Sequence, residues 1–139
     1  MTLDNFKKFQ STIDKSIKWN EETIFEMETK LGKLYQDVLN LLFAERVIYE
    51  NMITEKNELY GKFLHDVKFS IKSQYKYDTK AEIDSQINRE PEYKKLCIDL
   101  NLQGAMIEYM DNTLKNISSI SYQIRDYIKW KMFKSGASF

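Results

Sequence analysis

The sequence predicts a mainly α-helical single domain built on two long helices, and three observations carry the prediction. One proline and four glycines in 139 residues leave little to interrupt a helix. Apolar residues recur at alternating steps of three and four along two extended stretches, 22–63 and 91–134. Between them the period changes. The expected architecture is a helical hairpin with a short strand or hairpin insert and a short helix between its arms, residues 64–90.

Residues 1–20 form an N-terminal arm. Leu3, Phe6 and Phe9 line one face of a short helix, with Asp4 in its first turn. Ser11 to Asn20 lacks a clean period and reads as a loop or arm that packs Ile13, Ile17 and Trp19. From Glu22 the stripe is continuous: Ile24, Met27, Leu31, Leu34, Val38, Leu41, Ile48, Met52 and Leu59, widened by Tyr35 and Leu42. A helix of this length, roughly 60 Å at ~1.5 Å per residue, needs a partner along most of its course. Glu45 and Glu55 fall on the stripe and weaken a plain two-stranded coiled coil. Glu45 either meets a cation from a partner helix or lies at the edge of the widening stripe, and the edge is the preferred reading.

Gly61 is the expected end of that helix. Val67, Phe69 and Ile71 then alternate with Lys68, Ser70 and Lys72, the period of a strand, and Ser73 to Tyr77 continue it. A lone strand must pair with a hairpin partner, the N-terminal arm or another subunit. Thr79 and Glu82 have the spacing of a capping box for a helix from Lys80 to about Asn88. Pro91 opens the second long helix. Its stripe is Tyr93, Leu96, Leu100, Ile107, Met110, Leu114, Ile117, Ile124 and Ile128, interrupted at Gln103 and Ser121, with an end near Gly136. Gly104 within it suggests close approach of a neighbouring backbone.

Lys+Arg and Asp+Glu number 21 each, so bulk charge gives no case for nucleic acid. The charge is nonetheless segregated. Residues 1–20 carry four lysines against two aspartates, residues 62–81 sum to +3 and 112–139 to +4, while 21–61 sum to −5 and 82–111 to −4. Such asymmetry permits a local positive surface. One cysteine, Cys97, excludes an intramolecular disulfide framework and fits a reducing compartment. No apolar run approaches the ~20 residues of a membrane span, and the first residues show no signal-like hydrophobic stretch.

Catalysis finds little support. The chain has one histidine, His65, and no metal-ligand spacing or phosphate-binding glycine loop. His65 reads as a surface or packing residue and Cys97 as core. The expectation is a non-enzyme with no cofactor and no metal.

Binding residues are a different matter. Lys62, Lys68, Lys72 and Lys76 are interleaved with Phe63, Phe69, Tyr75 and Tyr77. Lysines neutralise phosphates and exposed rings stack on unpaired bases. On a strand, Lys68, Lys72 and Lys76 share one face and Tyr75 and Tyr77 lie on the other, so the rings are either core behind solvated lysines or stacking surfaces beside them. Alone, three or four such contacts bind weakly, and repetition around an oligomer multiplies them. Tyr122 to Phe139 carries more apolar area than a small hairpin can bury, with Ile124, Ile128 and Met132 on one side and Tyr127, Trp130, Phe133 and Phe139 elsewhere. That surplus points to self-assembly. A membrane-surface helix with Arg125, Lys129, Lys131 and Lys134 at lipid head groups is the competing reading.

The run IEYMDNTLKNISSISYQIRDYIKWKMFKSG is similar to the C-terminal segment of the UvsY family of phage recombination mediators. The resemblance lies in Ile107-Glu108-Tyr109, Asp111, Leu114, Ile117, Ile124, Arg125, Ile128, Trp130, Phe133 and Gly136. Upstream, the family's DNA-binding turn reads like LKARLDYYSG, and EKNELYGKF stands here. Lys56 matches the first basic position, Glu58 replaces the second, and Lys62 follows one turn later. The resemblance implies a ring-like homo-oligomer, hexamer or heptamer, in the cytoplasm of an infected bacterium. It implies binding of single-stranded DNA and loading of a RecA-like recombinase in place of the single-strand-binding protein, with no membrane role. With Lys56 and Lys62 of that turn, the expected nucleic-acid contacts are Lys68, Lys72, Lys76, Tyr75, Tyr77 and Arg125. Assembly is expected through Ile117, Ile124, Tyr127, Ile128, Trp130, Met132 and Phe133. The alternative is a helical assembly protein or chaperone without nucleic-acid binding.

Overall fold

A computed structural model describes residues 1–69 and 79–136, and among these described residues there are four helices. They are α1 (Leu3–Ser16), α2 (Ile24–Phe69), α3 (Lys80–Arg89) and α4 (Pro91–Lys134). The residues form two compact units, 1–44 with 106–139, and 45–105. Each long helix contributes one segment to each unit.

In the first unit α1 is capped by Thr2, whose hydroxyl accepts the Asn5 N–H at 3.2 Å. The helix runs to Ser16, so the expected loop over 11–20 is mostly helical. Its stripe is Phe6, Phe9, Ile13 and Ile17, which keeps the steps of three and four past Ser11. Ile13 is buried, and Phe9, Ile17 and Trp19 pack against the same core. The Phe6 and Phe9 rings meet Tyr109 edge-on, with centroids 5.3 and 6.3 Å away.

Asn20 starts α2. Its Oδ1 accepts the N–H groups of Glu22 at 3.0 Å and Thr23 at 3.1 Å, while Thr23 Oγ1 accepts the Asn20 N–H. Ile24, Met27, Leu31, Val38 and Leu42 of α2 then pack on Met110, Leu114, Ile117 and Ile124 of α4. The halves run antiparallel, with Glu28 beside Arg125 near the α4 terminus. All of these apolar residues came from the two predicted stripes. Fully burying each side chain contributes on the order of 1.5–3 kcal/mol.

The second unit pairs the rest of α2 with α3 and the start of α4. Here the prediction fails in an instructive place. Gly61 does not end α2, which continues to Phe69. Residues His65 to Phe69 are therefore helix rather than strand, and the described residues contain no strand. One glycine inside a helix costs only about 1 kcal/mol. Leu59, Tyr60, Phe63, Leu64 and Val67 are half-buried and carry the helical stripe past it. The apparent alternation rested on three apolar residues. Its remainder, 70–77, lies outside the described residues.

Thr79 caps α3 as its spacing predicted, accepting the Glu82 N–H at 3.2 Å. Tyr60 Oη donates to Asp84 Oδ1 at 2.5 Å and its ring lies 6.3 Å from Tyr93, which holds α3 and α4 to α2. That hydrogen bond to a carboxylate raises the Tyr60 pKa. Glu45 is not at an edge. It is 4% exposed, and Gln103 Nε2 donates to its backbone carbonyl at 3.0 Å and to its Oε2 at 2.6 Å. The two interruptions of the stripes are thus partners. Gly104 faces the Tyr49 ring edge and not a backbone, since a Cβ there would meet Tyr49 Cε2 at 3.5 Å. Gly136, at φ 78°, closes α4 where expected, its N–H bonded to the Phe133 carbonyl at 3.1 Å.

Candidate nucleic-acid interface

On the last turns of α2, Lys62, His65 and Phe69 stand at i, i+3 and i+7, the spacing of one helical face. All three are exposed. Phe69 is 70% exposed, and its ring centroid lies 4.9 Å from His65. A cation and two solvent-facing rings are the parts that hold an unpaired strand: charge for the phosphate, π-faces for the bases. His65 is exposed, in keeping with its reading as a surface residue. The strand period separates positions 62, 65 and 69, and the helix joins them on one face.

The other expected contacts divide. Lys56 is half-buried on α2, and Glu58 beside it is exposed. Lys68 belongs to α2, so its predicted alignment with Lys72 and Lys76 loses the strand on which it depended. Lys72, Lys76, Tyr75 and Tyr77 lie outside the described residues. Arg125, in the first unit, sits 3.7 Å from Glu28 Oε1 and 5.7 Å from the Tyr122 ring centroid. Both partners of that ion pair are largely exposed, so the pairing is weak and the guanidinium stays accessible to a phosphate.

The expected assembly residues also divide. Ile117 and Ile124 are at most 1% exposed and belong to the chain's own core. Tyr127 and Ile128 pack against that core. Tyr127 Oη donates to Glu21 Oε1, and its ring meets Trp19 edge-on at 5.8 Å. Lys131 adds an ion pair to Glu21 at 3.8 Å. The hydrogen bond to Glu21 pushes Tyr127 up to about 12, while that bond and Lys131 hold Glu21 below the usual carboxylate value. What remains open to a partner is Trp130, Met132 and Phe133, joined by Phe25 of α2, which is 75% exposed. Lys134 lies 4.4 Å over the Trp130 ring. Phe25 was not singled out from sequence because it falls off the buried stripe.

The fold defines the class first. Paired long helices in this arrangement are shared with the recombination mediator protein UvsY of bacteriophage T4, known in several crystal lattices. In one the TM-score is 0.81 at 16% identity, covering 96% of this chain and 99% of that one. In a second it is 0.83 at 15% identity, covering 97% and 98%. At such identities the likeness is one of fold. No curated protein sequence matches the chain. Membership comes from the family profile described as "Recombination, repair and ssDNA binding protein UvsY", which matches residues 8–137. The chain belongs to the UvsY family.

Proposed function

We propose that this protein is a recombination mediator. It binds single-stranded DNA and helps load a RecA-like recombinase in place of the single-strand-binding protein during phage homologous recombination and repair. The observation that carries the reading is the family match over residues 8–137. The α2 surface of Lys62, His65 and Phe69 supplies chemistry suited to it.

The mechanism is electrostatic and multivalent. Copies gather through the exposed apolar end of α4 into a ring of six or seven. Each copy contributes weak basic contacts, a strip from Lys56 to Lys76 and, separately, Arg125, and the ring multiplies them on one strand. Loading follows from differential affinity: the held conformation favours the recombinase over the single-strand-binding protein. The protein performs no chemistry of its own and acts in the cytoplasm of the infected host. No described helix is long and apolar enough to cross a membrane.

The test is recombinase loading. On DNA pre-coated with single-strand-binding protein, adding this protein should shorten the lag before DNA-dependent ATP turnover by the recombinase. Charge reversal of Lys68, Lys72 and Lys76 together should remove DNA binding and restore the lag while leaving oligomer mass unchanged. A lag unaffected by the wild-type protein would sink the proposal.

A further inference from the structure

A second cationic feature lies in the first unit, on residues not assigned above. Where α1 runs into α2, a groove of about 500 Å³ is lined by Thr12, Lys15, Ser16 and Lys18 on one side. Thr23, Met27, Lys30, Lys33, Leu34 and Asp37 line the other. Four ammonium groups therefore face one carboxylate. All four lysines are exposed. Lys30 has a partner, Glu26 at 3.6 Å, and both side chains are about two-thirds exposed or more, so a phosphate displaces that pairing at little cost. Lys15, Lys18 and Lys33 make no ion pair among the described residues.

We propose that this α1–α2 groove is a second phosphate-backbone site for single-stranded DNA. The chemistry of its lining sets the ligand class. The hydroxyl hydrogens of Thr12 and Ser16 are given to the carbonyls of Lys8 and Thr12 within α1, and Thr23 Oγ1 turns back to Asn20. The polar donors left for a ligand are lysine ammoniums, which act as point charges and lack the fork that reads a base edge. No aromatic ring lines the groove, so bases do not stack there. The floor is Met27 and Leu34. A site of this kind holds the strand by its phosphates without reading sequence. Its role differs from that of the α2 surface, where His65 and Phe69 offer rings.

This inference rests on the reading of the chain as a single-stranded-DNA binder. The test compares the wild-type protein with a K15Q/K18Q/K30Q/K33Q variant, matched for helix content and oligomer mass. A labelled oligothymidylate is titrated across a salt series. If all four lysines engage phosphates, the variant's log K against log salt slope is shallower by about 3 per protomer, at ~0.7 per phosphate on a single strand. D37N should tighten binding by removing the opposing carboxylate. A measurement without mutation stands beside these. Oligothymidylate should protect Lys15, Lys18, Lys30 and Lys33 of the wild-type chain from acetylation, while the exposed Lys94 and Lys95 of α4 serve as references. Wild-type binding with an unchanged variant slope, or no protection of the four lysines, overturns the groove site and leaves the mediator reading standing. No oligothymidylate binding by the wild-type protein removes both. Protection by polyglutamate but not by oligothymidylate assigns the groove to an acidic protein segment and also overturns the proposal.

Discussion

Glu45 and Gln103 show what a polar residue on an apolar stripe signifies. Each interrupts its own helix pattern, and each is at most 5% exposed. Together they satisfy one another across two helices. A buried carboxylate that loses a donor bears part of its desolvation penalty, whereas removing both partners does not. Gln103→Leu should therefore destabilise the protein by about 1–3 kcal/mol, read as a shift in the urea midpoint. The Glu45→Leu/Gln103→Leu double variant should lose less than the sum of the single losses. Additive losses would mean the pair is not coupled.

Tyr127 and Glu21 make a second, exposed lock, with a definite pH window. The Tyr127 value is raised, so its share of the stabilisation is complete below about pH 10 and is lost as pH rises through about 12. The Glu21 value is lowered, so its share is complete above the ordinary carboxylate range and is lost as pH falls through the lowered value. Trp19 and Trp130 both adjoin the Tyr127 ring, at 5.8 and 6.0 Å. Their fluorescence should change in the alkaline limb, and Tyr127→Phe should abolish that component. A transition that survives Tyr127→Phe belongs to other tyrosines.

At the scale of elements, the two long helices were legible because steps of three and four persist over many turns. The same stripes supply the core residues Leu31, Val38, Leu42, Met110 and Ile117. Thr79, Pro91 and Gly136 were legible because capping chemistry is local. The end of α2 was not. Three alternating apolar residues after a glycine imitate a strand, and only the half-burial of Leu64 and Val67 shows that the helix stripe continues. That single misreading hid the shared face of Lys62, His65 and Phe69. The α1–α2 groove was hidden for a different reason. Lys30 and Lys33 lie inside a segment of net charge −5, and folding brings them to Lys15 and Lys18.

Gly104 gives a test at the same scale. A Cβ there meets only a ring edge at ordinary contact distance. Gly104→Ala should thus be tolerated and raise stability by about 0.5–1 kcal/mol through helix propensity, seen as an increased melting temperature. Destabilisation would show that the second unit needs a closer approach than the Tyr49 contact describes.

At the scale of the whole molecule, the α4 end holds core residues beside the proposed assembly surface, and the two must be separated. Ile117 and Ile124 hold the protomer together, so cutting the chain before Tyr122 removes core as well as surface. The cleaner variant replaces Trp130, Met132 and Phe133 by serine or glutamine. Sedimentation should show a smaller species with helix content retained. An unchanged mass would move the assembly face elsewhere, with exposed Phe43 as the next place to look.

On the mediator reading, a chain of zero net charge grips DNA by placement of its cations and by repetition. The most direct measurement is the equilibrium binding of oligothymidylate by the intact oligomer across a salt series. The expected result is tight binding at low salt that weakens steeply, with a slope of several phosphates at ~0.7 each. An intact oligomer that fails to bind at low salt contradicts the mediator reading outright.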